Sequence, residues 1–139
     1  MEQGRRVHIV EVGPRDGLQN LQTFVSTEHK IALIRRLAAV GIREIQAGGF
    51  VNPRAIPQFR DMEAVIAGLA GLEGATLNVM VPNLKGARDA IACGIKKIVF
   101  FFSVSRSHNM NNVHQTPEES LQALEDIMDN VVAVSGVAV

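Results

Sequence analysis

Val7-His8-Ile9-Val10-Glu11-Val12-Gly13-Pro14-Arg15-Asp16-Gly17-Leu18-Gln19-Asn20 is an alternating apolar run that breaks into a polar turn at Gly13, Pro14 and Gly17. It reads as a strand over residues 7–13 closed by a tight turn. A strand end is a rigid mount. Arg15, Asp16 and, two residues past Gly17, the amide of Gln19 put a cation, a hard oxygen ligand and a hydrogen-bonding group close together. That set suits a metal and an anionic oxygen.

The same pattern repeats along the chain. Ser26 or Thr27 caps a helix with Ile31, Ile34, Leu37 and Ala38 at helical spacing, stopped by Gly41. Ile42 to Ala47 is a second strand ending at the turn Gly48-Gly49, and Met62, Val65, Ile66 and Leu69 mark a second helix. Leu77 to Val81 is the third strand, halted by Pro82-Asn83, and Leu84 to Ala92 the third helix, ended by Gly94. Lys97 to Phe102 is a fourth strand, apolar on both faces as a strand buried in a parallel sheet is. A polar loop from Ser103 to Gln115 comes next, and Thr116-Pro117-Glu118-Glu119 opens a helix with Leu121, Leu124, Ile127 and Met128 on one face. The tail Val131 to Val139 either finishes that helix or begins a fifth strand, and its β-branched content favours the strand.

Four successive β-α units mean parallel strands with right-handed crossovers, an α/β fold. The pattern fits two architectures, (βα)4 as half of a TIM (β/α)8 barrel and a small doubly wound sheet. In both, functional groups gather at the carboxyl ends of strands. Here those ends carry Arg15, Asp16 and Gln19, then Gln46, then Asn83, then Ser103, Ser105, Arg106 and His108.

Composition sets the bounds. At 139 residues and 47% hydrophobic content the chain reads as one globular domain over 1–139. Its 14 basic and 14 acidic residues balance and intermix, which gives no attraction for nucleic acid or an anionic membrane. The longest apolar run, Ile98 to Phe102, is too short to span a bilayer, and Met1 to Arg6 lacks the apolar core of a signal peptide. The expected place is cytoplasmic, in keeping with a single Cys and hence no intrachain disulfide. Cys93 sits in an apolar helical pattern and reads as packing. His108 and His114 stand six apart, which is no recognised metal spacing, so both are expected to be loop histidines. Glu11 is expected to face inward and pair with a base such as Arg15.

Val10 to Asn20 resembles the first strand of 3-hydroxy-3-methylglutaryl-CoA lyases and their relatives in the metal-dependent lyase/synthase superfamily of TIM barrels. Phe50-Val51-Asn52-Pro53 with Ile56-Pro57-Gln58, Pro82-Asn83-Leu84-Lys85-Gly86, and Glu118-Glu119-Ser120 extend the likeness through nearly the whole chain, as an N-terminal half. The resemblance favours the barrel. It implies retro-Claisen cleavage of a 3-hydroxyacyl-CoA to a 3-oxo acid and acetyl-CoA, with Mg²⁺ or Mn²⁺ as Lewis acid. It makes Asp16 a metal ligand, has Arg15 neutralise the oxygen charge that develops as the enolate forms, and sets Gln19 to orient metal or substrate. Asn83, Ser103 and Ser105 join Gln19 as expected substrate contacts, the serines toward a CoA phosphate or carboxylate, with a polar loop that caps the barrel rim as the alternative reading of Ser103 to Arg106.

Two departures qualify it. The family has a Glu at the end of the second strand where this chain has Gln46, expected at the catalytic centre yet unable to ionise. That favours a related carboxyltransferase- or synthase-type branch acting on another acyl-CoA or 2-oxo acid. The family's His-x-His pair, Asn ligand and Cys-bearing loop belong to the second half of the barrel, so these residues hold about half an active site. From a different class comes a non-catalytic half-barrel or interaction module. Free edges on the first and fourth strands point to a homo-oligomer.

Overall fold

The computed structural model describes residues 7–139; the expectation placed on Met1–Arg6 lies outside the described residues. Four strands, β1 (Val10–Glu11), β2 (Glu44–Gly49), β3 (Thr76–Val81) and β4 (Ile98–Phe100), form one sheet in sequence order. Every pairing is parallel. The helices are α1 (Thr27–Ala39), α2 (Met62–Gly68), α3 (Leu84–Ala92), α4 (Arg106–Val113), α5 (Pro117–Ile127) and α6 (Ala133–Ser135). Among the described residues, no helix is long and apolar enough to cross a membrane.

Local chemistry accounts for most boundaries. The Ser26 hydroxyl accepts the His29 N–H to start α1, and Gly41 reverses the chain at φ +96° where a side chain would be strained. Asn83 caps α3 through Gly86 N–H at 2.9 Å. Thr116 and Glu119 form a reciprocal capping box at the start of α5, with Pro117 in its first turn. The core joins Ile34 of α1, Ile45 of β2, Val65 of α2, Val79 and Val81 of β3, Ala87 and Ala90 of α3, Ile98 of β4 and Ile127 of α5.

Six sequence expectations need correction. The first strand is only Val10–Glu11, because the chain coils into a wide π-helical turn over Gly13–Gly17. Glu11 sets that turn by accepting the Gly13 N–H at 2.6 Å, so it pairs with backbone and not with Arg15. The second strand runs two residues later than expected, with Gly48 and Gly49 inside it. The register with β3 slips between Gln46 and Gly48, a bulge that glycine accommodates.

The Ser103–Gln115 stretch is not a loop throughout. Ser105 caps α4, which ends at His114 in the left-handed conformation (φ 56°). Its polarity disguised it: α4 buries only Asn109. On α5 the inward residues are Ser120 and Ile127, while Leu121 and Met128 are exposed.

The fourth strand is the short edge strand Ile98–Phe100, and Phe100, Phe101 and Phe102 are only half-buried. Both tail readings hold in part. The helical path continues through Ser135, then Ala138 accepts from Ile98 N–H at 2.9 Å and donates to Lys96 at 3.0 Å, a single parallel bridge beside β4.

Candidate functional site

The π-helical turn carries Arg15 and Asp16 past the end of β1, beside the middle of β2. Arg15 Nε donates to Gln46 Oε1 at 2.5 Å, and Nη1 to Asp16 Oδ1 at 2.8 Å. Gln19 Nε2 reaches the same Asp16 oxygen at 3.5 Å. Four residues named from the sequence therefore meet: Arg15, Asp16, Gln19 and Gln46. Arg15 is mostly enclosed, with 22% of its side chain exposed, whereas Asp16 is 61% exposed. The cluster is a fixed cation with an open carboxylate beside it.

Asn83, Ser103 and Ser105 do not join it. Among the described residues no hydrogen bond links them to the cluster. The Asn83 carbonyl oxygen is committed to its helix cap, and the Ser105 hydroxyl caps α4. Ser103 is held through its backbone N–H, which donates to Asn109 Oδ1 at 2.7 Å. Asn109, fully buried, also donates to Gln115 O and Ser120 Oγ, and so ties α4 to α5. His108 and His114 are exposed, but His108 lies on α4 and His114 at its C-terminal cap rather than in a loop. Burial pushes the Cys93 thiol pKa up, with Glu63 and Asp89 adding to it, which keeps the thiol protonated and suits packing rather than attack.

Beneath the cluster lies a buried polar file that sequence reading missed. Gln46 Nε2 donates to Asn78 Oδ1 at 3.0 Å, and Asn78 Nδ2 donates to Glu44 Oε1 at 2.8 Å. Glu44 is held by Lys97 Nζ at 2.7 Å and His8 Nε2 at 2.6 Å. Lys97 is the main reason its carboxyl pKa lies below the usual range; burial opposes this, and His8 and Asn78 add to the lowering. Gln46 and Asn78 are register partners across β2 and β3, so the file follows one face of the sheet. The available signal was polar residues at alternate positions 44 and 46 of a strand otherwise apolar.

A second unforeseen group anchors the loop that carries the site. Gln58, buried, accepts from Val25 N–H and donates to the carbonyls of Leu21 and Thr23. Lys30, also buried, donates to the Gln58 carbonyl and to Asp61 Oδ1 at 2.6 Å, and lies 4.2 Å from the Phe24 ring centre. Arg60 stacks on Phe24 at 3.7 Å. The residues after Gln19 are thus fastened to the β2–α2 connection.

Two cavities flank these loops. The larger, about 510 Å³, lies between Phe50–Pro53 and the start of α3 and includes Asn83. The smaller, about 310 Å³, runs between Gln19–Phe24 and Ala55–Arg60, sharing Gln19 with the Arg15 cluster. A divalent ion is poorly served by these residues alone. Among the described residues no group of three or more His, Cys, Asp or Glu could hold one, and Asp16 already accepts from Arg15.

As a class, parallel βα units in the unbroken order β1-β2-β3-β4, without the order reversal of a doubly wound sheet, make an α/β barrel segment. Residues 6–135 match the HMGL-like family model, and the chain belongs to the HMGL-like family. It is 45% identical to the mitochondrial hydroxymethylglutaryl-CoA lyase of Arabidopsis thaliana over 83% of this chain and 25% of that protein. With the Gallus gallus mitochondrial enzyme it shares 41% identity over 94% of this chain and 44% of the relative. Among solved structures, the HMG-CoA lyase of Brucella melitensis superposes with a TM-score of 0.89 at 39% identity, over 95% of this chain and 46% of that one. An HMG-CoA lyase from Acinetobacter baumannii in complex with coenzyme A and 3-methylmalate gives 0.85 at 37% identity, over 90% of this chain and 41% of its own. The chain therefore spans less than half the length of these relatives, and its sheet is the (βα)4 portion of a TIM barrel.

Proposed function

We propose that this chain supplies the Arg-Asp portion of a divalent-metal-dependent lyase site that cleaves 3-hydroxy-3-methylglutaryl-CoA, or a related 3-hydroxyacyl-CoA, to a 3-oxo acid and acetyl-CoA. The observation that carries this is the fixing of Arg15 by Gln46 and Asp16 in a member of the HMGL-like family. Coenzyme A in the Acinetobacter relative supports an acyl-CoA substrate.

In a retro-Claisen cleavage a base takes the 3-hydroxyl proton, the adjacent carbon-carbon bond breaks with its electron pair coming to rest on the thioester enolate oxygen, and a proton returned to the enolate carbon completes acetyl-CoA; neither proton transfer is assigned to the residues of this cluster. Arg15 has five N–H donors, and Nε and one on Nη1 are committed. The remainder, on a guanidinium that cannot swing away, stabilise that oxygen as its charge grows. Gln19 and Arg15 both hold Asp16 Oδ1, which aims the other carboxylate oxygen, Oδ2, outward. In this reading Asp16 gives one ligand to Mg²⁺ or Mn²⁺, whose chemistry is Lewis-acid polarisation of the substrate oxygens. Since one carboxylate does not make such a site, no step is assigned to the ion.

Gln46 favours a second branch, a carboxyltransferase or synthase-type relative, because a neutral amide with both ends hydrogen-bonded cannot carry a proton. In either branch the edge of β1, and that of β4 beyond the Ala138 bridge, are proposed to pair with further copies, and Val7 and Ile9, 84% and 65% exposed, lie just before β1.

Calorimetric titration of Mn²⁺ into the 139-residue chain, with sedimentation on the same sample, tests this reading. Binding that disappears in Asp16→Asn, in an oligomeric sample, supports it and directs assay toward acyl-CoA cleavage. An absence of Mn²⁺ heat together with a monomeric state would transfer the assignment to a non-catalytic half-barrel.

A further inference from the structure

We propose that Glu44 is a positioning residue: acting through Asn78, it locks the Gln46 amide in the one orientation that Arg15 can use. The file begins and ends in groups of fixed polarity. The Arg15 guanidinium can only donate, and the Glu44 carboxylate, clasped by Lys97 and His8, can only accept. Between them stand two amides, each with one donating and one accepting end.

Of the four ways to orient two amides, one satisfies every contact. Glu44 takes the Asn78 NH₂ at 2.8 Å, which turns Asn78 Oδ1 toward Gln46. That oxygen takes the Gln46 NH₂ at 3.0 Å, which turns Gln46 Oε1 toward Arg15. Any other choice opposes two donors or two acceptors in the interior, where Gln46, Asn78 and Glu44 are 5%, 1% and 5% exposed. Without the carboxylate, Asn78 Nδ2 loses its acceptor, and Arg15 alone is left to hold Gln46 in this orientation.

The orientation of Arg15 does not depend on what the site binds. Only its consequence for catalysis rests on the function proposed above, where a guanidinium free to rotate would lose its aim at the enolate oxygen.

The test is hydrogen exchange at Arg15 Nε–H, followed by NMR on the ¹⁵N-labelled 139-residue chain. Replacing the ion pair by apolar residues of similar size, Glu44→Leu with Lys97→Met, removes the anchor without stranding a charge. Exchange is expected to quicken about tenfold, with the backbone spectrum retained and Tm lowered as the buried Asn78 NH₂ loses its acceptor. Adding Gln46→Glu to that variant supplies an acceptor directly and should restore slow exchange, a rescue that a merely structural role for Glu44 would not produce. Unchanged exchange in the E44L/K97M chain, or no rescue by Q46E, overturns the proposal. If the pair variant fails to fold, Asn78→Leu breaks the file at its middle and leaves the ion pair intact; unchanged Arg15 exchange there is equally fatal.

Discussion

Asp61→Asn removes the charge that accompanies Lys30 into the interior while keeping the shape of the side chain. Lys30 is 2% exposed as a residue, and its ammonium sits 2.6 Å from Asp61 Oδ1. Leaving one member of a buried pair without its counter-charge costs about 3–5 kcal/mol. The Gln58 carbonyl and the Phe24 ring still face Lys30, so the lower end, about 3 kcal/mol, is expected. Domains of this size are stable by roughly 7–20 kcal/mol, so Asp61→Asn should unfold in clearly less urea with an unchanged slope, and melt about 10 °C lower. The paired replacement Lys30→Met with Asp61→Leu, which removes both charges, should remain within about 1 kcal/mol of the parent. Urea titration followed by circular dichroism measures all three chains. A loss below about 1 kcal/mol in Asp61→Asn would refute the view that this pair fastens the site-bearing loop.

Two other perturbations probe the sheet and its connections. Because Lys97 depresses the Glu44 carboxyl pKa, that ion pair contributes stability above the unfolded-state pKa of about 4.3 and loses it as pH falls through the lower folded value. The stability gap between the parent and Lys97→Met should be constant from about pH 6 to 8 and narrow below about 4.3; a gap unchanged at about pH 3 would mean that only packing was lost. Gly86→Ala would press a Cβ into the Phe50 carbonyl oxygen where α3 meets the β2–α2 connection, and should cost about 1–3 kcal/mol in urea titration; an unaffected midpoint would show that the connection yields freely.

The repeating units and most helix starts were legible in the sequence because they depend on neighbours along the chain. Ser26, Asn83 and Thr116 each cap a helix through a backbone N–H three residues later. The meeting of Arg15, Asp16 and Gln19 is likewise local. Features that depend on distant residues went wrong or unseen. The π-helical turn depends on how Glu11 folds back on Gly13, and the Gly48 bulge on a slip against β3. Glu44, Asn78 and Lys97 lie on three different strands or their margins, so their union appears only after the sheet has assembled. The helix α4 was hidden because it keeps a single buried residue, Asn109, which leaves no apolar stripe to count.

The file from Glu44 to Arg15 also has an electrostatic sense. Its hydrogen bonds all run the same way, so the two amide dipoles add head to tail. Such chains strengthen each bond by about 10–30%. With an anion behind Asn78, the carbonyl oxygen of Gln46 is more electron-rich than that of a solitary amide. Lying 2.5 Å from Arg15 Nε, it presents to the guanidinium part of the negative field a carboxylate would offer, while the formal charge stays further down the sheet at Glu44.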